Sequence, residues 1–380
     1  MNYPNPADSA TSSFASAEEI VLSQIATRGK ISFPEFMEIA LYDPHNGYYA
    51  RKTAQIGQAG DFYTSVSVGP LFGRLLARRF LKWWNENGRP SEWRILEIGA
   101  HDGKLAADIL AEIARLEPIT WNSLEYAIIE PLATLREAQR QRLEKLASKL
   151  TITENSEALS RNRLPGIAFG NEILDALPFH LVRLFDGNWK ELFVKEGPEL
   201  IPGEIDQTSM LAGKLDVIGN AYPENYQTEV RTSFPRFIKE IRTCIAEGLL
   251  LFIDYGFAAP EYYDTHRSSG TLRTYSKHKA AEDPLLDIGE IDITAHVDFT
   301  DLANEAMKQG FTPTHFSTQG SYLTHLASEM IGAGGLDGGT TISQFQSLTH
   351  PAHLGASFHV IEFSKNATCP PTVRHRLALP

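Results

Sequence analysis

Residues 93–110 read WRILEIGAHDGKLAADIL. The run from Trp93 is apolar and closes on Gly99, a tight loop continues to Gly103, and residues 104–116 (KLAADILAEIARL) carry apolar side chains at helical spacing. A strand, a glycine loop and a helix in that order bring unpaired backbone N–H groups to the loop, and glycine lets a ligand approach the backbone without a Cβ in the way. A loop built for a dinucleotide needs G-x-G-x-x-G to seat a pyrophosphate. This one lacks that pattern, and Glu97 beside it disfavours an anionic group. It suits a cofactor with a cationic end and no phosphate, which describes S-adenosylmethionine. The alternative is a purely structural strand–helix turn.

Outward from this point the units alternate. EYAIIEP (125–131) is a strand ended by proline, 132–150 a long polar-faced helix, LTIT (150–153) a short strand, and GIAFGNEILDALP (166–178) a strand running into a helix. GLLLFIDYGF (248–257) is the most apolar strand candidate, FTDLANEAMKQGF (299–311) a capped helix, and SFHVIEFSK (357–365) a final strand. Alternating β and α units imply a doubly wound, mostly parallel sheet. Upstream, 17–28, 32–41 (capped by Ser32, with Pro34 in its first turn) and 67–84 read as helices, separated by a long glycine-rich loop. HLVRLF and WKELFV around Asp186-Gly187 read as an antiparallel hairpin, 224–246 as holding a helix, and 258–295 as irregular. The expected organisation is a disordered leader (1–16), an N-terminal helical segment (17–89), a core over 90–365 with insertions around 180–225 and 258–296, and a poorly ordered tail (366–380).

The chain of 380 residues can bury a large core without staples. Its formal charge of −12 argues against nucleic acid and anionic membranes as partners and tolerates a cationic one. Cys244 and Cys369 are its two cysteines, with no CxxC, so neither a disulfide framework nor a structural zinc site is expected, and no other metal site is either. No run of 18 apolar residues occurs, and the first 16 residues lack the features of a signal or transit peptide. A cytoplasmic location is the expectation. The hairpin at 180–194, read as an exposed apolar surface, could pair across a homodimer.

Further candidates lie at expected strand ends, where doubly wound sheets bind ligands. Glu130 ends the second strand, where an acidic residue accepts hydrogen bonds from ribose hydroxyls. Asn171 and Glu172 follow a later strand, and Asp175, one helical turn on, would share a face with Glu172. Gly60-Asp61 sits in the long N-terminal loop, Asp254 follows the most apolar strand, and Asp292 and His296 lie in DITAHVDF (292–299). Asp298 or Thr300 could simply cap the next helix, and a lone histidine such as His296 is more often a structural hydrogen-bonder than a base.

Taken together, ISFPEFMEIALYDPHNGYYA (31–50), GDFYTS (60–65), ILEIGAHDGKLAADIL (95–110), YAIIEP (126–131), GNEILDALP (170–178), LFIDYGF (251–257), GTLRTYSKH (270–278) and DITAHVDFTDL (292–302) resemble, in order, the MidA-like S-adenosylmethionine-dependent methyltransferases. That family includes a mitochondrial complex I assembly factor that methylates arginine. The resemblance implies a class I methyltransferase fold, a Rossmann-like doubly wound sheet of seven strands with an inserted lobe, and S-adenosyl-L-methionine as cofactor. It assigns Glu97, Gly99 and Gly103 to the cofactor loop and Glu130 to the ribose. It gives Gly60 and Asp61 to a motif closing over the cofactor, and Asn171 and Glu172 to the neighbourhood of the transferred methyl. Asp254, Asp292 and His296 match motifs of less settled role. The sequence departs from the family where His101 replaces the middle glycine of Gly-x-Gly-x-Gly and where Val66-Ser67 replaces a proline-acid pair. His101 itself counts among the cofactor-binding candidates.

The activity implied is methylation of an arginine on a protein substrate. Glu172 is the expected clamp for the guanidinium, with Asp175 or Asp254 behind it, and His296 is a further catalytic candidate. Two other readings stay open: methylation of a small molecule, and a cofactor-binding assembly factor with little catalysis.

Overall fold

The computed structural model describes residues 14–51, 64–276, 279–281, 283–332 and 338–380. The chain divides into two compact units, one of residues 56–174, 238–258 and 297–380, the other of residues 1–55, 175–237 and 259–296.

The first unit is built on seven main strands: β1 (Trp93–Ile98), β2 (Leu124–Ile129), β3 (Leu150–Thr153), β4 (Leu164–Asn171), β5 (Ile245–Phe257), β6 (Phe311–Thr318) and β7 (Phe358–Lys365), with a short eighth, Val297–Asp298, paired in parallel to the end of β5. Their order across the sheet is β6-β7-β5-β4-β1-β2-β3. Neighbours from β5 through β3 pair in parallel, and β7 runs antiparallel to both β5 and β6. This is the seven-stranded, doubly wound class I arrangement. Strand order reverses at β1, with β2 on one side and β4 on the other, and that reversal is where such sheets open a ligand crevice. Ile98 stands opposite both Ile129 and Gly170, so the carboxyl ends of these three strands are level.

Both faces of the sheet are buried, which explains the nearly continuous apolar runs. Leu249, Leu251 and Ile253 of β5 pack with helices Leu71–Glu86 and Lys104–Leu116 in one core, through Phe72, Leu76, Phe80, Ile109 and Ile113. Leu250 and Phe252, on the opposite face, are also fully buried. At the amino ends of the strands the buried Arg94 joins several segments. Its Nη2 donates to Glu125 of β2 at 2.7 Å, and its Nη1 to the carbonyls of Cys244 at 2.9 Å and Leu159 at 3.3 Å.

The second unit has an antiparallel sheet ordered Lys30–Ser32, Asn188–Lys195, His180–Phe185, Gln227–Val230, with Glu199–Gly203 also paired to Asn188–Lys195. Helix Phe33–Tyr42 starts with a capping box: Ser32 Oγ accepts the Glu35 N–H while Glu35 accepts the Ser32 N–H. Its Phe33, Phe36 and Met37 share a core with Phe179, Leu181, Leu192 and Val194.

Several expectations need correction. Residues 172–179 are irregular rather than helical, with the N–H groups of Ile173 and Leu174 bonded to Asp254. Of 224–246, Gln227–Val230 is a strand and the helix is confined to Phe234–Cys244. The strand carries polar residues that are nonetheless buried, Thr228 and Glu229. The long polar helix stops at Arg142 and gives way to a 3₁₀ segment, Glu144–Lys149. The stretch 258–295, expected to be irregular, holds short strands at Arg273–Ser276, Lys279–Ala281 and Asp292–Thr294. Strand β6 was not expected, since FTPTHFST is interrupted by Pro313, where the pairing to β7 slips register. The tail is folded: Pro371–Arg376 is helical, Leu377 is buried, and its carbonyl accepts the Thr300 hydroxyl at 2.6 Å. The apolar side chains of the 180–194 hairpin, Leu181, Val182, Leu184, Leu192 and Val194, are buried within their own unit. Phe185, Trp189 and Phe193 of the same hairpin are partly exposed. The N-terminal helical segment is not one body, for Ala17–Tyr42 and Leu71–Glu86 belong to different units. Among the described residues no helix is long and apolar enough to cross a membrane.

The Arg94 junction leads to a stability prediction. Arg94→Met leaves Glu125 and two carbonyls without their buried donor and is expected to cost about 3 kcal/mol in a denaturant titration. A loss below about 1 kcal/mol would show that the junction is dispensable.

Candidate functional site

The loop after β1 turns tightly, with the Gly103 N–H donating to the Ala100 carbonyl at 2.8 Å. Gly99 and Gly103 have φ of 71° and 81°, and His101 lies in the same left-handed region at 45°. Gly99 is required twice over: a Cβ there would sit 2.4 Å from Cγ2 of Ile173, and its φ is strained for any other residue. Helix Lys104–Leu116 then begins, its first N–H donating to Asp102 Oδ1 at 3.0 Å.

This loop and the end of β4 line a cleft that opens to solvent. Glu97, Gly99, His101, Asn171 and Glu172 all face it, together with Thr64, Ser67, Asp102 and Lys104. Gly103 closes the turn that forms one wall. Glu130 stands behind the lining, joined to it through Gln139. The Gln139 amide donates to the His101 carbonyl at 2.8 Å and to Glu130 at 3.3 Å. Glu130 also accepts the Leu132 N–H at 3.0 Å.

The electrostatics favour a cationic guest. Lys104 is neutralised by Asp108 at 2.6 Å, and Asp102 pairs with Arg142 at 2.6 Å. Burial opposes ionisation of Asp102, but hydrogen bonds from His101 and the Lys104 N–H, with the Arg142 charge, bring its carboxyl down to about 2. Glu97 is different. It is 3% exposed, and burial pushes its carboxyl up to about 8. The Tyr126 hydroxyl, donating to it at 2.7 Å, pulls the other way, while the Asp102 charge adds to the rise. Glu130 is raised to about 7, again chiefly by burial. A buried carboxyl kept close to neutral is one whose compensating charge has yet to arrive. An ammonium beside Glu97 and a ribose diol beside Glu130 supply what these two sites lack, and neither asks for a phosphate-binding cation. The residues present therefore fit S-adenosylmethionine.

Glu172 has a left-handed backbone, with φ of 55°, which is costly for a residue with a side chain. Four hydrogen bonds hold it. Its N–H donates to the Ile253 carbonyl of β5 at 2.8 Å. Asp254 Oδ2 accepts the N–H groups of Ile173 at 3.0 Å and Leu174 at 2.7 Å. The Asn171 amide donates to Glu172 Oε1 at 2.8 Å.

The other sequence candidates are placed differently. Asp254 is fully buried and spends its carboxylate on backbone N–H groups, including that of Tyr255 at 2.8 Å. It sets the turn that carries Glu172 and does not form a second jaw of a clamp. Asp175 belongs to the other unit, and without a helix the shared-face argument for Glu172 and Asp175 falls. There its carbonyl and those of Leu177, Ala295 and His296 accept from the buried Arg231 guanidinium at 3.3 Å or less. Burial raises the Asp175 carboxyl, opposed by the Arg231 charge. His296 lies in that same unit, its N–H donating to the Thr271 hydroxyl at 3.0 Å. Asp292 accepts the Tyr49 hydroxyl at 2.8 Å, and Asp298 caps helix Phe299–Lys308. Gly60 and Asp61 lie outside the described residues. Sequence reasoning missed Gln139, Tyr126, Ile173 and Arg231. Arg231 sits in the mostly polar stretch QTEVRTS (227–233), and none of the four carried a signal of its own.

Removing the Asp254 acceptor tests the turn. Asp254→Ala strands buried N–H groups and is expected to cost about 2–4 kcal/mol of stability in thermal or denaturant unfolding. A neutral outcome would mean that the turn is held by packing alone.

The geometry can be set beside known proteins. Residues 75–317 match the family model described as "Putative S-adenosyl-L-methionine-dependent methyltransferase". The chain is 26% identical to the mitochondrial protein arginine methyltransferase NDUFAF7 homolog of Drosophila melanogaster, over 93% of this chain and 86% of that protein. It is 26% identical to the human protein arginine methyltransferase NDUFAF7, over 75% of this chain and 68% of that one. A crystal structure from Burkholderia thailandensis, bound to S-adenosyl-homocysteine, superposes with a TM-score of 0.79 at 29% identity, covering 95% of both chains. A cleft at the switch point that favours a cation over a phosphate, on a seven-stranded sheet of this order, is what such a match requires: the chain belongs to this family of S-adenosyl-L-methionine-dependent methyltransferases.

Proposed function

We propose that this methyltransferase acts on an arginine side chain of a protein substrate. The observation that carries the reading is Glu172, a carboxylate facing the cofactor cleft and oriented by Asn171 and by the turn that Asp254 fixes. When bound, S-adenosyl-L-methionine supplies an electrophilic methyl group on its sulfonium. Transfer is an in-line displacement, so the chain contributes mainly alignment. A guanidinium, with a pKa above about 12, arrives charged and needs a carboxylate that accepts two of its N–H groups and fixes its plane. Glu172 can do this, and can take up charge as the attacking nitrogen loses its proton. The names borne by the relatives from fly and human support arginine as the acceptor, and the net charge of −12 suits a cationic segment of protein.

Two measurements test this. Glu172→Gln keeps the shape and removes the charge. Turnover on arginine-containing protein, followed by mass spectrometry of the methylated residue, is expected to fall about 100-fold or more, with S-adenosyl-homocysteine affinity held within about threefold. Unchanged turnover would remove Glu172 from the mechanism, and label on another acceptor would overturn the arginine assignment.

The second concerns pH. Without ligand Glu97 is protonated below about 8. A ligand ammonium stabilises the carboxylate, so binding drives a proton off. Affinity for S-adenosyl-homocysteine should therefore rise between pH 6 and 8, at most about tenfold per unit. Calorimetry in buffers of different ionisation enthalpy should show proton release, and Glu97→Gln should abolish the share due to this residue. A wild-type affinity independent of pH would refute the pairing of Glu97 with the ammonium.

A further inference from the structure

Helix Ala133–Arg142 follows β2, and the end of it grips the cofactor loop. Gln139 is fully buried. Its Nε2 reaches the His101 carbonyl at 2.8 Å and the Glu130 carboxylate at 3.3 Å. Both neighbours are acceptors, so the amide can face them only as a donor. Its Oε1 is buried and finds no donor among the described residues. A buried amide with half its capacity unmet is a poor device for stability alone. One turn on, Arg142 donates to the Asp102 carbonyl at 2.9 Å and to its carboxylate at 2.6 Å. The residue between these anchors and the loop's apex is His101, left-handed at φ 45° although it bears a side chain. That backbone is costly unless its surroundings enforce it.

We infer that Gln139 is a positioning residue for the cofactor: its amide locks the strained His101 backbone and the Glu130 carboxylate into one frame. The two halves of the cofactor pocket, the loop after β1 and the acid after β2, are thereby set at a fixed spacing. The inference rests on the cofactor reading of this cleft. It holds that Gln139 matters because His101 is not glycine, so its contribution should vanish when that strain is removed.

The experiment is a double-mutant cycle read by calorimetric titration with S-adenosyl-homocysteine, using the full chain. Gln139→Met keeps the volume and loses the donor. It is expected to weaken binding about tenfold in the His101 background. In the His101→Gly background, where the left-handed backbone needs no clamp, the same change should cost less than about threefold. A second readout separates positioning from bulk packing. Without the amide, Glu130 loses a hydrogen bond to its charged form, so the midpoint of the pH dependence of binding should move upward in Gln139→Met. That movement should be absent when Glu130 is already Gln.

Equal losses in both backgrounds, or none in either, would overturn the inference. Failure of the wild-type chain to bind S-adenosyl-homocysteine would instead overturn the cofactor reading. Thermal melting checks that each variant is folded. Should Gln139→Met not fold, Gln139→Asn, one methylene too short to span both acceptors, is expected to show the same dependence on background, and its failure to do so counts against the inference equally.

Discussion

The Asp254 carboxylate, buried at the end of the central strand β5, accepts the backbone N–H groups of Ile173 and Leu174. The site depends on this contact. It fixes the turn at the end of β4, where Glu172 keeps a left-handed backbone and Ile173 lies against Gly99. A helix after β4 would have turned the Glu172 side chain with its own period and taken Ile173 off the loop. A single buried acceptor thus decides the geometry of two neighbouring strand ends.

Much of this was legible in the chain. The class of sheet followed from the alternation of apolar runs and amphipathic stretches, because a parallel sheet covered on both faces leaves that pattern. The cofactor loop was legible because Gly99 and Gly103 mark backbone that other residues avoid. What could not be read shares a different cause. Asp254 looked like a jaw because its position matched; that its oxygens face backbone is decided by β4 lying beside β5, about 80 residues away in sequence. Gln139 sat among the polar residues of a polar helix, with nothing to distinguish it from Gln141, which bonds at the surface. The strand Gln227–Val230 was hidden because its buried groups are polar and satisfied, Glu229 by the N–H groups of Thr271 and Leu272 at 3.0 Å. Periodicity reports apolar burial, and it is silent where burial is achieved by hydrogen bonds.

The carboxyls of the cofactor cleft show the same trade between burial and charge. Glu97 and Glu130 are raised to about 8 and 7 because folding removes water from them. An acid whose folded pKa lies above its unfolded value near 4.5 loses stability as pH rises through that window. The ligand-free protein therefore bears a cost at neutral pH that a cationic, hydroxyl-bearing cofactor offsets on binding. Asp102, by contrast, is matched within the protein and has no such need.

Arg231 has a consequence of another kind. Its guanidinium gathers the carbonyls of Asp175, Leu177, Ala295 and His296, and residues 175 and 296 bound the segments of its unit that adjoin the rest of the chain. The point where the chain first returns to this unit and the point where it finally leaves are thus fastened to one side chain. For a discontinuous unit such closure must be made late, after a long stretch of intervening chain has been synthesised, and it carries the entropy of a large loop. The hydrogen bonds of this buried guanidinium run to neutral carbonyls and are shielded from solvent ions, so this seam should hold at high salt, where surface ion pairs weaken. Arg231 thereby makes residues 175 and 296 behave as though they were neighbours in sequence.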